Sequence, residues 1–203
     1  MSARWRVVPA LLAGFLFLSG CSQQAVKPTE NPETAWANRL SRIHEIRHWD
    51  LSGRIAIKLA KDGGSASLFW QQRQEKYSIR IVGPFGKGSL QLEGGPDGVS
   101  MEDSEGNTHN APNAESLMLQ ELGWQLPVSG LRHWIMGVPD PGQALDQLQL
   151  DDTGRATLIS QAGWEISLDR YRRAEGLDLP ARVELLARDL KVKLIVKQWK
   201  LSS

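Results

Sequence analysis

The chain has 203 residues, 24 Lys and Arg against 23 Asp and Glu, and a formal net charge of +1. That length suits one domain with a sizeable core, and the near balance gives no basic bias toward nucleic acid or an anionic lipid surface. A single cysteine, Cys21, leaves no partner for a disulfide within the chain.

Arg4 and Arg6 precede an apolar run from Val7 to Leu18, and small residues follow at Ser19 and Gly20. A positive n-region, an apolar h-region and small residues at the cut make a bacterial secretory signal. The run is shorter than the ~20 apolar residues of a permanent span. Leu18-Ser19-Gly20-Cys21 resembles the lipobox of bacterial lipoproteins. That resemblance implies a diacylglycerol on the Cys21 thiol, removal of residues 1–20 and acylation of the new amine. Several acyl chains, at ~0.8 kcal/mol per buried methylene, make such an anchor stable. Ser22 stands where an Asp commonly retains Gram-negative lipoproteins in the inner membrane, so it resembles an outer-membrane sorting signal. The remaining 183 residues carry a charge of about −1.

Residues 21–32 are polar and proline-broken after the cysteine, which predicts a flexible tether, and 33–203 are expected to form one domain. Asn31-Pro32 has the pattern of an N-cap with Pro at the first helical position. The helix is expected to run to about Arg47, with Trp36, Leu40 and Ile43 as its apolar stripe. From Trp49 the period changes to two: Trp49, Leu51, Gly53, Ile55, Ile57 and Leu59 alternate with polar or small residues. Lys61-Asp62-Gly63-Gly64 is a hairpin signal, and further strands are expected at 65–72, 76–82, 89–93, 99–103 and near Thr108. Two helices then interrupt. One runs from Asn113 to Leu122 with Gly123 as its stop, the other from Ser129 to Met136 with Gly137 as its stop. A meander of strands at 147–150, 156–160, 164–170, 181–186 and 190–199 ends the chain. The pattern predicts a mainly β fold: an incomplete, half-open antiparallel β-barrel of about 10–11 strands, its apolar face covered by three α-helices.

His44-Glu45-Ile46-Arg47-His48 is a literal H-E-x-x-H, which on one helix face would hold zinc with Glu45 as general base. Against it, the helix ends near His48, where strand alternation begins, and no third ligand follows by spacing. His and Arg at a helix C-terminus are also explained by the helix dipole. The acidic pairs Glu102-Asp103 and Asp151-Asp152 lie at turns and are read as solvated turn residues. There is no G-x-S-x-G, no phosphate-binding loop and no thiol nucleophile. The chain is therefore read as a non-enzyme, with no metal and no cofactor.

Gly83 to Gly88 is the loop that stands out. Pro84 presets φ, Gly86 permits a left-handed backbone, and between them sits a large aromatic, Phe85. Phe85 either folds back over the core or projects as an apolar probe into solvent or membrane, and the residues alone leave both open. Several segments occur in an order that carries a wider likeness. They are Trp49-x-Leu51-Ser52-Gly53-Arg54, Phe69-Trp70-Gln71-Gln72, Tyr77-x-Ile79 and Gly83-Pro84-Phe85-Gly86. Leu131-Arg132-x-Trp134-Ile135-x-Gly137-x-Pro139, Gly163-Trp164, Leu179-Pro180 and Lys193-Leu194-x-Val196-x-x-Trp199 follow. With the lipobox, they resemble the LolB family of outer-membrane lipoprotein receptors.

The resemblance implies an incomplete barrel with helices across its mouth. It also implies a lipid-anchored protein on the periplasmic face of the outer membrane that accepts acylated lipoproteins from a periplasmic, LolA-like carrier. Pro84, Phe85 and Gly86 become the membrane-insertion loop; the family often carries Leu where this chain has Phe85, and both are apolar. The expected acyl-binding cavity is lined by Leu51, Ile55, Leu68, Trp70, Ile79, Trp164 and Ile166 from strands, with Trp134 and Ile135 from the covering helix. The expected partners are carrier, cargo and outer-membrane lipid, with no nucleic acid and the protein a monomer. Two other readings are a zinc metallopeptidase lipoprotein built on residues 44–48 and a structural envelope lipoprotein without a cavity.

Overall fold

A computed structural model describes residues 31–60, 62–86 and 88–202. The signal segment 1–20, Cys21 and the tether up to residue 30 lie outside the described residues, as does the side chain of Phe85. Helix α1 (Pro32–His44) opens the fold, capped by the Asn31 side chain accepting from the Glu33 and Thr34 amides. Strands β1 (His48–Lys58), β2 (Gly63–Arg73), β3 (Lys76–Val82), β4 (Ser89–Gly95), β5 (Gly98–Glu102) and β6 (Thr108–Ala111) follow as a meander. Helices α2 (Ala114–Leu122) and α3 (Val128–Trp134) separate them from β7 (Leu145–Leu150), β8 (Ala156–Gln161) and β9 (Trp164–Asp169). A small hairpin of β10 (Arg172–Ala174) and β11 (Leu177–Leu179) precedes β12 (Arg182–Ala187) and β13 (Leu190–Ser202).

Eleven strands form one antiparallel sheet in the order β6-β5-β4-β3-β2-β1-β13-β12-β9-β8-β7. The first and last strands of the chain, β1 and β13, pair along their length and weld the two meanders together. Strands β6 and β7 are the edges and do not pair with each other, so the sheet curls without closing. Period-two patterning drives the curl: Trp49, Leu51 and Ile55 of β1 and Val192, Leu194 and Val196 of β13 all point into one core. The three helices sit on that apolar side.

Several boundaries differ from the sequence expectation. Helix α1 stops at His44, not near Arg47, because Ile43 is its last core residue and the next residues turn into β1. Gly63 and Gly64, read as turn residues, instead pair with Lys58 and Ile57, and the turn is closed earlier by Leu59 N–H donating to the Asp62 carbonyl at 2.8 Å. Helix α3 runs Val128–Trp134 rather than Ser129–Met136. The β10–β11 hairpin has no counterpart in the sequence pattern, because its strands are three residues each, too short for periodicity to register.

Candidate functional site

The inner faces of β1–β4 and β13, with α2, α3 and the segment between those helices, enclose a pocket of about 240 Å³. Every lining residue is apolar. Ile55, Ile57, Leu68, Trp70, Ile79, Ile81, Leu90, Leu92 and Leu194 come from the sheet, Met118 and Leu122 from α2, Trp124 and Leu126 from the connection, and Val128 and Leu131 from α3. Leu122, 37% exposed, forms part of the rim. The pocket is half open, and its wall offers no hydrogen-bonding side chain except the Trp indoles. Trp70 Nε1–H is already committed, donating to Gln72 Oε1 at 3.1 Å. Such a wall favours an apolar chain over water, which needs two to four polar partners to stay.

Of the nine residues expected to line a cavity, Ile55, Leu68, Trp70 and Ile79 do so. Leu51, Trp134, Ile135 and Ile166 are instead packed into solid core, and half-buried Trp164 lies against Trp134 with ring centroids 6.4 Å apart. Trp134 is fastened there: its Nε1–H donates to Gln161 Oε1 at 2.8 Å, which also accepts from the Asp140 amide at 2.9 Å. Gln161 Nε2 in turn donates to the Asp140 and Gln143 carbonyls. The half-barrel is thus divided: α3 fills the β8–β9 side, and the void lies on the β1–β4 side. Strand alternation would have found Ile57, Ile81, Leu92 and Leu194. Trp124 and Leu126, between Gly123 and Pro127, carry no periodic signal.

The loop singled out in the sequence opens at the pocket's rim. Ile81 and Leu90 line the pocket, and the chain between them forms the β3–β4 turn. Its base is closed by Gly83 N–H donating to the Gly88 carbonyl at 2.9 Å, and Pro84–Gly86 form one 3-10 turn. Gly86 and Gly88 have φ of +72° and +74°, which only glycine adopts without strain. Pro84 and Gly86 are exposed.

The H-E-x-x-H residues are not on one helix. His44 is the last residue of α1 and His48 the first of β1, so 3.6-residue spacing does not bring the two imidazoles onto one face. No group of three His, Cys, Asp or Glu suited to a metal exists among the described residues. One member of each acidic pair anchors a turn, while Glu102 is the last residue of β5 and pairs in the ladder instead. Asp103 accepts from the Glu105 and Asn107 amides. Asp151 accepts from the Thr153 and Arg155 amides, and its other oxygen meets Arg155 Nη2 at 2.7 Å. Arg39 lies within the apolar stripe of α1, buried, over the Tyr171 ring at 5.2 Å, and donates to the Met136 carbonyl at 3.4 Å, a placement that no sequence signal marks. Burial lowers the guanidinium's pKa and raises that of the Tyr171 hydroxyl. No helix among the described residues is long and apolar enough to cross a membrane.

Residues 47–199 match a family profile described as "Outer membrane lipoprotein LolB". A curated protein of that description from Alkalilimnicola ehrlichii is 38% identical over 199 residues, covering 98% of each chain. One from Halorhodospira halophila is 37% identical over 202 residues, again covering 98% of each. Among solved structures, a DUF1329 family protein from Desulfovibrio piger superposes with a TM-score of 0.53 at 8% identity, covering 86% of this chain and 94% of that one. A LolA superfamily protein from Nitrosomonas europaea superposes with a TM-score of 0.50 at 9% identity, covering 86% and 95%. At such identities the structural likeness speaks for the fold alone.

Proposed function

The chain belongs to the LolB family of outer-membrane lipoproteins, and from that premise we propose that it accepts acylated lipoproteins from a periplasmic carrier and inserts them into the outer membrane. The observation that carries this reading is the wholly apolar pocket between β1–β4 and the α2–α3 segment. An acyl chain gains ~0.8 kcal/mol per methylene removed from water, and this wall supplies that shelter. Its volume, about 240 Å³, falls below the ~300 Å³ at which pockets take drug-sized ligands. It holds a segment of one chain as it stands, and taking in more requires α2 and the Trp124–Leu126 connection to move off the sheet. Those two segments are the movable wall, since β1–β4 are held by continuous ladders.

Cys21 is the lipid anchor in this reading, and Pro84, Phe85 and Gly86 form the element that meets the membrane. The loop's position supports that role, because Ile81 and Leu90 flank it on the pocket rim. Cargo leaving the pocket therefore emerges beside the loop. In this reading cargo moves from carrier to pocket to bilayer by relative affinity for its acyl chains. Binding of radiolabelled lipoprotein to the protein, competed by fatty acid, tests the reading. Saturable binding that fatty acid displaces supports it; absence of measurable affinity overturns it.

A further inference from the structure

Charge that is balanced over the whole chain is unevenly spread over the fold. Strands β3, β2, β1 and β13 are consecutive in the sheet, and together they carry nine Lys and Arg against one carboxylate, Asp50. Their inward positions are apolar or small apart from Gln72, so the cations all stand on the outer face. Asp50 is occupied by Arg73 at 2.6 Å. Lys58 and Lys191 are direct cross-strand partners, a like-charge arrangement that opposes folding. Glu184 of β12 meets Lys191 at 3.1 Å and Lys193 at 3.2 Å. Among the described residues, Arg54, Lys58 and Arg80 have no carboxylate within ion-pair distance; Arg54 donates only to Ser65 Oγ, at 3.4 Å. Arg80 lies 4.8 Å above the ring of Phe69, an aromatic left 39% exposed in the middle of this face.

We propose that the outer face of β13-β1-β2-β3 docks on an anionic phospholipid surface. Charge complementarity commits the face to that occupant. Nine cations at strand spacing with one carboxylate among them, Asp50, already held by Arg73, match an array of headgroups, and each one near an anionic bilayer strengthens attachment roughly fivefold. Phe69 beneath Arg80 is the amphipathic pair that suits headgroup depth. As an outer-membrane lipoprotein the chain has such a surface within reach. Strand β3 also leads directly into the 83–88 loop, so docking on this face brings the loop to the bilayer. The inference concerns attachment alone and needs neither cargo nor pocket.

The acylated full chain, reconstituted in vesicles, tests it by amine-reactive footprinting of Lys58 and Lys191. Vesicles of phosphatidylcholine are compared with vesicles containing roughly one third phosphatidylglycerol. The expected result is labelling of both lysines lowered at least about threefold on the anionic vesicles. At about 1 M salt, where the Debye length falls to roughly 3 Å, that protection is lost. The Arg54→Gln/Arg80→Gln chain, whose sheet ladder is intact, is expected to show weaker protection. Equal labelling on both vesicles overturns the proposal, and so does protection that ignores salt or arises only when an acidic protein is added.

Discussion

Gly53 of β1 lies against the carbonyl oxygen of Ile195 of β13 so closely that a Cβ at Gly53 would stand 2.3 Å from it. The contact sits at the one irregularity in the β1–β13 ladder, where Ser52 pairs with Gln198 and Gly53 with Val196, leaving Lys197 as the extra residue. The bulge changes which residues face inward. Val192, Leu194 and Val196 point to the core before it, and Trp199 and Leu201 after it. Without it, Gln198 would enter the core. Gly53→Ala is expected to destabilise the fold by about 2 kcal/mol, the cost of forcing packed backbone apart. Urea denaturation checks it through a lowered midpoint at unchanged slope.

Gln161 is 1% exposed and joins α3, β8 and the 138–143 segment through four hydrogen bonds. Gln161→Leu leaves the Trp134 indole and the Asp140 amide without an acceptor. The expected loss is about 3 kcal/mol, since each buried unmade bond costs about 1–3 kcal/mol. Thermal unfolding of the variant measures it, and a shift of Tm under about 1 °C would remove Gln161 from that role.

Filling the pocket separates binding from stability. Ile81 is half-buried at the rim, so Ile81→Trp has open space to enter. Fatty-acid affinity is expected to fall at least about tenfold, a loss of about 1.4 kcal/mol, while the melting temperature stays near that of the parent. Unchanged affinity would place the ligand elsewhere.

Phe85→Glu puts a charge in the loop beside the pocket rim. Cargo uptake is expected to remain and delivery into vesicles to fall about tenfold, because a carboxylate resists leaving water. Uptake and delivery assayed on the same preparation distinguish this from misfolding. Delivery at the parent rate would show that residue 85 does not meet the bilayer.

His133 accepts from Arg132 Nε at 3.1 Å and lies 3.8 Å from Asp140. Burial, then the Arg132 charge, pushes its pKa down to about 4, with His44 adding to the shift and Asp140 opposing it. An unfolded His titrates near ~6.5, so between these values the unfolded chain binds the extra proton. The stabilising contribution is whole above pH ~6.5 and is lost as pH falls toward ~4. His133→Asn is expected to remove that pH dependence, about 3 kcal/mol over the interval, read from urea midpoints at a series of pH values.

Much of this protein was legible in one dimension. Alternation with period two is local, so β1, β3 and the closing meander could be read from Trp49, Ile79 or Val192 and their neighbours. Asn31-Pro32 and Asn113 with Gly123 marked helix ends because capping chemistry is satisfied within a few residues. The half-open sheet followed from strands that are apolar on one face. What the chain could not reveal was which inward residues touch one another. Trp134 and Ile79 both read as apolar and inward, yet one is packed solid against Gln161 and Trp164 and the other lines a void. A cavity is the difference between the volume a sheet encloses and the volume its helices fill, and that difference exists only after α2 and α3 have docked. The basic face has the same origin. Lys58 and Lys191 lie far apart in the chain, and only the pairing of β1 with β13 makes them neighbours.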